Sequence, residues 1–594
     1  MTSEITDWDE DLPTDPEEDY QTFIRTLKRT DGFRLLFVQC TPAESKDLIS
    51  RVKNDIPQKT IEVLQLHEPI DNLYKIVECL PNKNEINILL IQGLEHSFYE
   101  YEKLHFSKNT EHNFYTWKGV PQILNHLNQQ RERFRDDFNI CFVFLLRSFA
   151  FKYFIHRAAD FFDWRSSGFE FPTKQELLEQ ESSKIILEGD YEKYCSLTPE
   201  AQIQKVLEIQ ELLAENHQQP SERASLQFEL GNLLVAAKEY EAAIASYDQG
   251  LKFKPDSHEA WNNRGVALGN LGRLEEAIVS YDQALKIKPN SHEAWNNRGN
   301  ALDILGQLEE AITSYDQALN FKPDYHQTWY NRGNALGNLG RLEEALASYD
   351  QALNFKPDYH QAWYNRGIAL DDLGLIEEAL ASYDQALNFK PDDYAAWNNR
   401  GYALMNLGRL EQAITSYDQA LNFKPDGYQA WYNRGVALAD LGRFEEAVAS
   451  YDQALKIKPD KDEAWNNRGA ALADLGRFEE AVASYSQALK SKPDDYASWN
   501  NRGVALADLG RFEEAVASYD QALKIKPDLH AAWYNKACSY ALQGNVEQAI
   551  ENLQQAINLS PDKYREMAKT DSDFDKIRED ERFQALIQEA LPDG

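Results

Sequence analysis

From residue 224 onward the apolar positions return with a period of 34. Trp stands at 261, 295, 329, 363, 397, 431, 465, 499 and 533, and Pro at 255, 289, 323, 357, 391, 425, 459, 493 and 527, with Pro561 one step further. Within a period the pattern is helical, twice. Trp261, Gly265 and Leu268 fall at i, i+4 and i+7, one stripe of a first helix. Leu274, Ala277, Ile278, Tyr281, Ala284 and Leu285 form the stripe of a second. Gly272 sits between the stripes, where a helix ends in a left-handed residue, and Pro289 stops the second helix. The polar residue after each proline (Asp256, Asn290, Asp324, Asp358) is placed to cap the next helix. Gly265 and Ala277 are small where the two helices must approach. A fixed period of this size signals a solenoid. Ten units fit, starting at 224, 258, 292, 326, 360, 394, 428, 462, 496 and 530.

Residues 30–172 follow another rhythm. Apolar, β-branched and aromatic runs occur at 33–40, 60–66, 85–95 and 138–148, separated by helical segments at 43–54, 69–80 and 119–135. Strands alternating with helices predict a parallel sheet covered on both faces. The fold class expected is therefore mainly α: a solenoid of helix pairs at 224–563, preceded by a smaller α/β domain. Helices at 174–190 and 196–215 link the two within residues 173–223. The tail 564–594, with Phe574, Ile577, Phe583, Leu586 and Ile587, reads as a capping helix.

Charge narrows the partners. The net charge is −35, which disfavours nucleic acid and anionic membrane and suits a protein or peptide partner that is neutral to basic. Residues 1–20 hold nine acidic and no basic residues, so 1–29 is expected to be a disordered acidic arm without the basic start of a secretory signal. No apolar run is long enough for a membrane span. Five scattered cysteines with no CxxC pair suggest reduced thiols in a cytoplasm, and neither a metal site nor a cofactor motif is readable.

Trp at position 4 of each unit, Gly at 8, Leu at 11, Ala at 20, Tyr at 24, Ala at 27 and Pro at 32 make the array resemble the tetratricopeptide repeat. The resemblance implies a right-handed superhelix of antiparallel helix pairs, with the first helix of each pair lining a groove for peptide segments or partner helices. The end units depart from the pattern. The first has Gln227, Lys238 and Gly250 at the Trp, turn-Gly and small positions, and the last has Ala537 for Gly.

Position 6 lies roughly 160° around the first helix from Trp, on the face turned toward the groove. It is Asn in nine units: Asn263, Asn297, Asn331, Asn365, Asn399, Asn433, Asn467, Asn501 and Asn535. An amide ladder could pair with the backbone of an extended peptide or tie one helix to its neighbour. The tetratricopeptide arm of O-GlcNAc transferases has a similar asparagine ladder, and that resemblance implies backbone binding. Tyr330, Tyr364 and Tyr432 at position 5 and Asp372, Asp440, Asp474 and Asp508 at position 13 complete the candidate groove, which is acidic. Arg264, Arg298, Arg332 and their copies at position 7 are expected to buttress neighbouring helices. Positions 2, 5 and 6 carry no basic residue after the first unit, unlike the carboxylate clamp of chaperone-binding members.

The strand pattern at 30–172 resembles a P-loop NTPase of the AAA or STAND type, with 33–40 as first strand, 85–95 as Walker B strand and 138–148 as sensor strand. The phosphate loop would be "CTPAESKDLI", which has Ser45 and Lys46 but no glycine, and the Walker B carboxylate falls at Gln92, with Glu95 displaced. A degenerate domain used for docking or assembly is the expectation, with no catalytic residues. The aromatic segment 152–171 holds His156, Asp160, Asp163 and Arg165 and reads as a helix packed on the sheet. Three functions fit: a non-enzymatic scaffold, a STAND-like regulatory ATPase with a repeat sensor in bacterial signalling or defence, and a regulatory subunit of an enzyme supplied in trans.

Overall fold

A computed structural model describes residues 16–98, 121–147, 150–151, 154–155, 158–171, 175–214 and 219–588. The chain divides into two compact units, Met1–Pro323 and Asp324–Gly594. Among the described residues, no helix is long and apolar enough to cross a membrane.

The first unit opens with helix α1 (Pro16–Arg29), then β1 (Arg34–Gln39), α2 (Pro42–Asp55), β2 (Ile61–Gln65), α3 (Leu73–Glu78), β3 (Ile88–Gln92), α4 (Gln122–Asp137), β4 (Cys141–Leu146), α5 (Ala159–Phe162) and β5 (Ser167–Glu170). The five strands form one parallel sheet in the order β2-β3-β4-β1-β5. Alternation along the strands divides the core. Leu35, Phe37, Phe142 and Phe144 face an aromatic layer with Phe134, Phe154 and Phe161, and the Phe37 and Phe144 rings stack at 5.0 Å. Leu36, Val38, Val143 and Leu145 face Tyr20, Phe23, Ile24 and Leu27 of α1 and Leu48 and Val52 of α2.

Residues 16–29 are not a disordered arm but an amphipathic helix whose apolar side completes one face of the sheet; residues 1–15 lie outside the described residues. The segment 152–171 is not one helix: after the short α5 it ends in an edge strand that pairs with β1, where Phe169 meets Phe23 at 5.0 Å. Its described charged residues pair locally. Asp160 pairs with Arg131 at 3.3 Å, Arg165 lies 4.0 Å from Asp163 with its guanidinium over Phe162, and His156 is outside the described residues.

The linking helices α6 (Gln175–Glu188), α7 (Tyr191–Ser196) and α8 (Pro199–Ala214) pack onto the first helix of the array. Ile185, Tyr194, Val206, Leu207 and Ile209 cover Leu226 and Leu230, and the Tyr194 hydroxyl donates to Glu229 at 3.0 Å. They shield the open end of the stack as well as connecting it.

Three helix pairs complete the first unit and seven, with a cap, make the second. Each pair closes on the same contacts. A Cβ on Gly435 would stand 2.6 Å from the Tyr451 ring, and one on Gly265 2.5 Å from Tyr281, so position 8 is glycine because a buried tyrosine lies against it. In the last repeat both partners change together, to Ala537 and Leu553, and both are buried. The turn glycines are left-handed, as at Gly442 (φ 75), while Lys238 of the first repeat holds φ 63 with a side chain. The Trp indole N–H donates to the carbonyl of the preceding turn's proline, 2.9 Å from Trp465 to Pro459. The expected caps are displaced by one residue. Ser257, Ser291, Asp393 and Asp495, two positions after the proline, accept the capping bond, and Tyr325, Tyr359, Gly427, Lys461 and Leu529 occupy that place without one. The C-terminal cap is a helix (Pro561–Thr570), a 3₁₀ turn (Ser572–Ile577) and a last helix (Glu581–Gln588), so Pro561 opens a helix where the other prolines close one.

Candidate functional site

The position-6 amides sit on the first helices, mostly half-buried, with Asn433 buried. At six of them the N–H group reaches the preceding repeat. Asn365 donates to the Tyr330 hydroxyl at 3.2 Å and to Asn334 Oδ1 at 2.8 Å. Asn399 donates to Tyr364 and Asn467 to Tyr432, at 3.2 and 3.1 Å. In the first unit Asn263 donates to Asn232 at 3.0 Å and Asn297 to Asn262 at 3.2 Å. Asn535 makes a longer bond of 3.4 Å to Asn500. Oδ1 of Asn331 and of Asn433 accepts from Gln327 and Gln429 one turn earlier, at 3.1 and 3.0 Å, and Asn501 accepts weakly from Asn500 at 3.5 Å.

At Asn263, Asn297, Asn365, Asn399, Asn467 and Asn535 the amide is therefore an inter-repeat tie, whose acceptor comes from position 5 of the preceding repeat (Asn262, Tyr330, Tyr364, Tyr432, Asn500) or from position 9 (Asn232, Asn334). Among the described residues, no donor reaches Oδ1 of Asn365 or Asn467, so those oxygens remain as acceptors on the first-helix face. Tyr330, Tyr364 and Tyr432 are half-buried, each ring about 6 Å from the position-24 tyrosine of its own repeat. Asp372, Asp440, Asp474 and Asp508 are exposed. Partial desolvation against the helix surface raises the Asp508 carboxyl above its usual range although the residue is exposed, and desolvation, then the Asp372 charge, raises Asp371.

Position 7 behaves as a buttress. Arg468 donates to Asp452 of the preceding repeat at 2.7 Å and to Ser484 of its own second helix at 2.6 Å, and the same bridge recurs at Arg264, Arg298, Arg366, Arg400 and Arg434. Arg502 meets Ser486 where the others meet Asp, and burial lowers its pKa.

Periodicity could not show what lies at the carboxyl ends of the strands in the first unit. Arg147, just past β4, donates to Glu95 after β3 at 3.2 Å and to Glu211 of α8 at 3.3 Å; the side chains are 4%, 10% and 8% exposed. Glu95 Oε2 is buried without a hydrogen-bond partner. The amide end of α2 is also occupied: Thr41 and Glu44 close a capping box, with Thr41 N–H donating to Glu44 Oε2 at 3.0 Å. Ser45 donates to Gln92 at 2.9 Å, and Lys46 is exposed. Among the described residues, this edge, where open α/β sheets bind ligands, carries the carboxylates of Glu44, Glu95 and Glu211 against the buried Arg147 guanidinium. A phosphate would meet an occupied helix terminus and the wrong sign of charge.

At the cap, ligand atoms of Cys538, Asp571 and Asp573 lie within 4.8 Å of one another. Asp571 accepts from the Tyr534 hydroxyl at 2.7 Å and from Asp573 N–H at 3.1 Å, and burial, then the Asp571 and Asp573 charges, push the Cys538 thiol up. Both oxygens of Asp571 thus serve the join between the last repeat and the cap, a role that the sequence pattern did not show.

Family models described as tetratricopeptide repeat or TPR repeat match residues 231–272, 258–291, 280–313, 304–340, 330–394, 372–425, 398–462, 466–530 and 530–563. Among solved structures the chain is similar to YrrB, described as a TPR protein with an unusual peptide-binding site (25% identity, 30% of this chain and 93% of that one, TM-score 0.29). It is similar to MamA (23% identity, 27% and 95%, TM-score 0.27) and to a tetratricopeptide repeat protein from Parabacteroides merdae (20% identity, 41% and 97%, TM-score 0.32). The comparison with curated proteins finds no match.

Proposed function

The chain belongs to the tetratricopeptide repeat proteins through residues 231–563, and from that premise we propose a non-enzymatic interaction scaffold that holds a peptide segment or partner helix on the first-helix face. The family supports protein binding in general. The specific reading rests on one observation: Asn365 and Asn467 use their N–H groups between repeats and keep Oδ1 as an acceptor on the first-helix face. An acceptor-rich, acidic face selects a donor-rich partner, neutral to basic, over nucleic acid or an anionic membrane. With helix α1 added to the expected 30–172, residues 16–172, 173–223 and 224–563 are proposed as docking module, linker and binding array. The five cysteines are free, which supports a reducing cytoplasm.

The α/β module is proposed for docking or assembly, without ATPase activity, because its strand ends are occupied by Glu44, Glu95 and Glu211. Equilibrium ATP binding to the whole chain tests this; binding that requires Lys46 would restore the regulatory-ATPase reading. The scaffold reading is tested by photo-crosslinking in cells. A crosslinker at Ala470, on the first-helix face, should capture a partner, and one at exposed Ala449, on a second helix, should not. Equal capture from both positions, or none from Ala470, would overturn it.

A further inference from the structure

We infer that repeats 7 to 9 form a docking site for one amphipathic helix of about three heptads, carrying two apolar residues and one Lys or Arg per heptad. The inference rests on the scaffold reading and names its partner.

Three consecutive first helices, Tyr428–Asp440, Asp462–Asp474 and Tyr496–Asp508, repeat one pattern at i, i+3 and i+4. It reads Val436, Ala439, Asp440, then Ala470, Ala473, Asp474, then Val504, Ala507, Asp508, all exposed or half-exposed. Each repeat thus offers two short apolar residues and one carboxylate on one strip of surface. The strip is bounded. In repeat 6 the equivalent places hold Tyr402 and Met405, and in repeat 10 Cys538 and Ala541 are buried against the cap.

The carboxylates lack the neutralisation that the neighbouring charges have. Arg434, Arg443, Arg468, Arg477 and Arg511 pair at 2.7 Å with Asp418, Glu446, Asp452, Glu480 and Glu514, away from the strip. Among the described residues, no Lys or Arg pairs with Asp440, Asp474 or Asp508. Charge complementarity therefore asks for a basic occupant.

Spacing selects its conformation. Packed helices lie about 10 Å apart, so the Asp row repeats at about that step. An α-helix advances about 10.5 Å in seven residues and returns nearly to the same face. A strand covers that distance in about three residues, which turns the side chain to the opposite face. A polyproline helix also returns in three residues, but it offers only three side chains per repeat, one of them turned away. Two apolar contacts and one charge per repeat match positions a, d and e of a heptad, and the short Ala and Val side chains let a helix backbone approach closely.

The test uses the full chain and fluorescence anisotropy with three labelled peptides of about 21 residues. One carries Leu at a and d and Lys at e, the second has Glu for Lys, and the third is proline-rich with Lys at every third residue. The Lys helix should bind at least about tenfold more tightly than the others and weaken with added salt. The variant D440N/D474N/D508N, shown by circular dichroism to keep its helical signal, should lose about tenfold affinity and most of the salt dependence. Equal binding of the Glu helix, preference for the proline-rich peptide, or unchanged binding by the triple variant would overturn the inference. If no peptide binds while Ala470 still captures a partner, the basic-helix assignment falls alone; if Ala470 captures nothing, the scaffold reading falls with it.

Discussion

The α/β module and the repeat array hold themselves together by opposite means. In the module the decisive contacts join distant parts of the chain: Phe37 stacks on Phe144, and Arg147 joins Glu95 to Glu211. In the array they recur at fixed short separations. Position 7 reaches 16 residues back and 16 forward, the indole reaches six residues back, and a glycine faces the tyrosine of its own pair. Nearest-neighbour contacts make stability a sum over repeats, whereas a module built on long-range contacts gains or loses its order as a whole. A scaffold can therefore vary positions 5, 9, 12 and 13 of single repeats without disturbing how the rest is built.

The sharpest way to break this contrast is Arg147→Ala. It takes the guanidinium away from the buried Glu95 and Glu211 carboxylates and should cost about 3–5 kcal/mol, unfolding the sheet cooperatively while the helical melt of the array persists. A single melt shared by both regions would contradict the contrast. Next comes Gly435→Ala, which drives a methyl into Tyr451 and should cost about 1–3 kcal/mol, confined by hydrogen exchange to repeat 7 and its neighbours. Adding Tyr451→Leu, the pairing found at Ala537 and Leu553, should recover much of that loss. Lys238→Gly relieves a left-handed side-chain residue and should stabilise the first repeat by about 1 kcal/mol in denaturant titration. The smallest effect is Ser486→Asp, which gives Arg502 the partner its copies have and should add about 0.5 kcal/mol.

The array was legible because its interactions are local and repeated. Trp, Gly, Tyr and Pro announce their roles by recurring where two helices meet, and the buttressing by Arg at position 7 followed from its place beside the core stripe. What escaped is what periodicity does not encode. Whether Asn467 touches a partner or its neighbour depends on where Tyr432 places its hydroxyl, 35 residues away. Helix α1 was hidden by its acidic side, although Tyr20, Phe23, Ile24 and Leu27 mark one buried face. Strand β5 was hidden among aromatics that suit helix and strand alike. The Glu95–Arg147–Glu211 cluster joins three segments whose meeting is set by sheet order and by the docking of α8, and no local pattern contains it.

The central claim is that the ladder amides serve both the neighbouring repeat and a partner. It is tested most directly by measuring capture from Ala470 in the variant N365A/N399A/N467A. Loss of the inter-repeat bonds should cost about 1 kcal/mol each, leaving the chain folded by circular dichroism. The account predicts that capture then falls by about tenfold, as expected for lost acceptors of roughly that energy. A variant that melts earlier yet captures its partner undiminished would assign the amides to the scaffold alone and contradict the account.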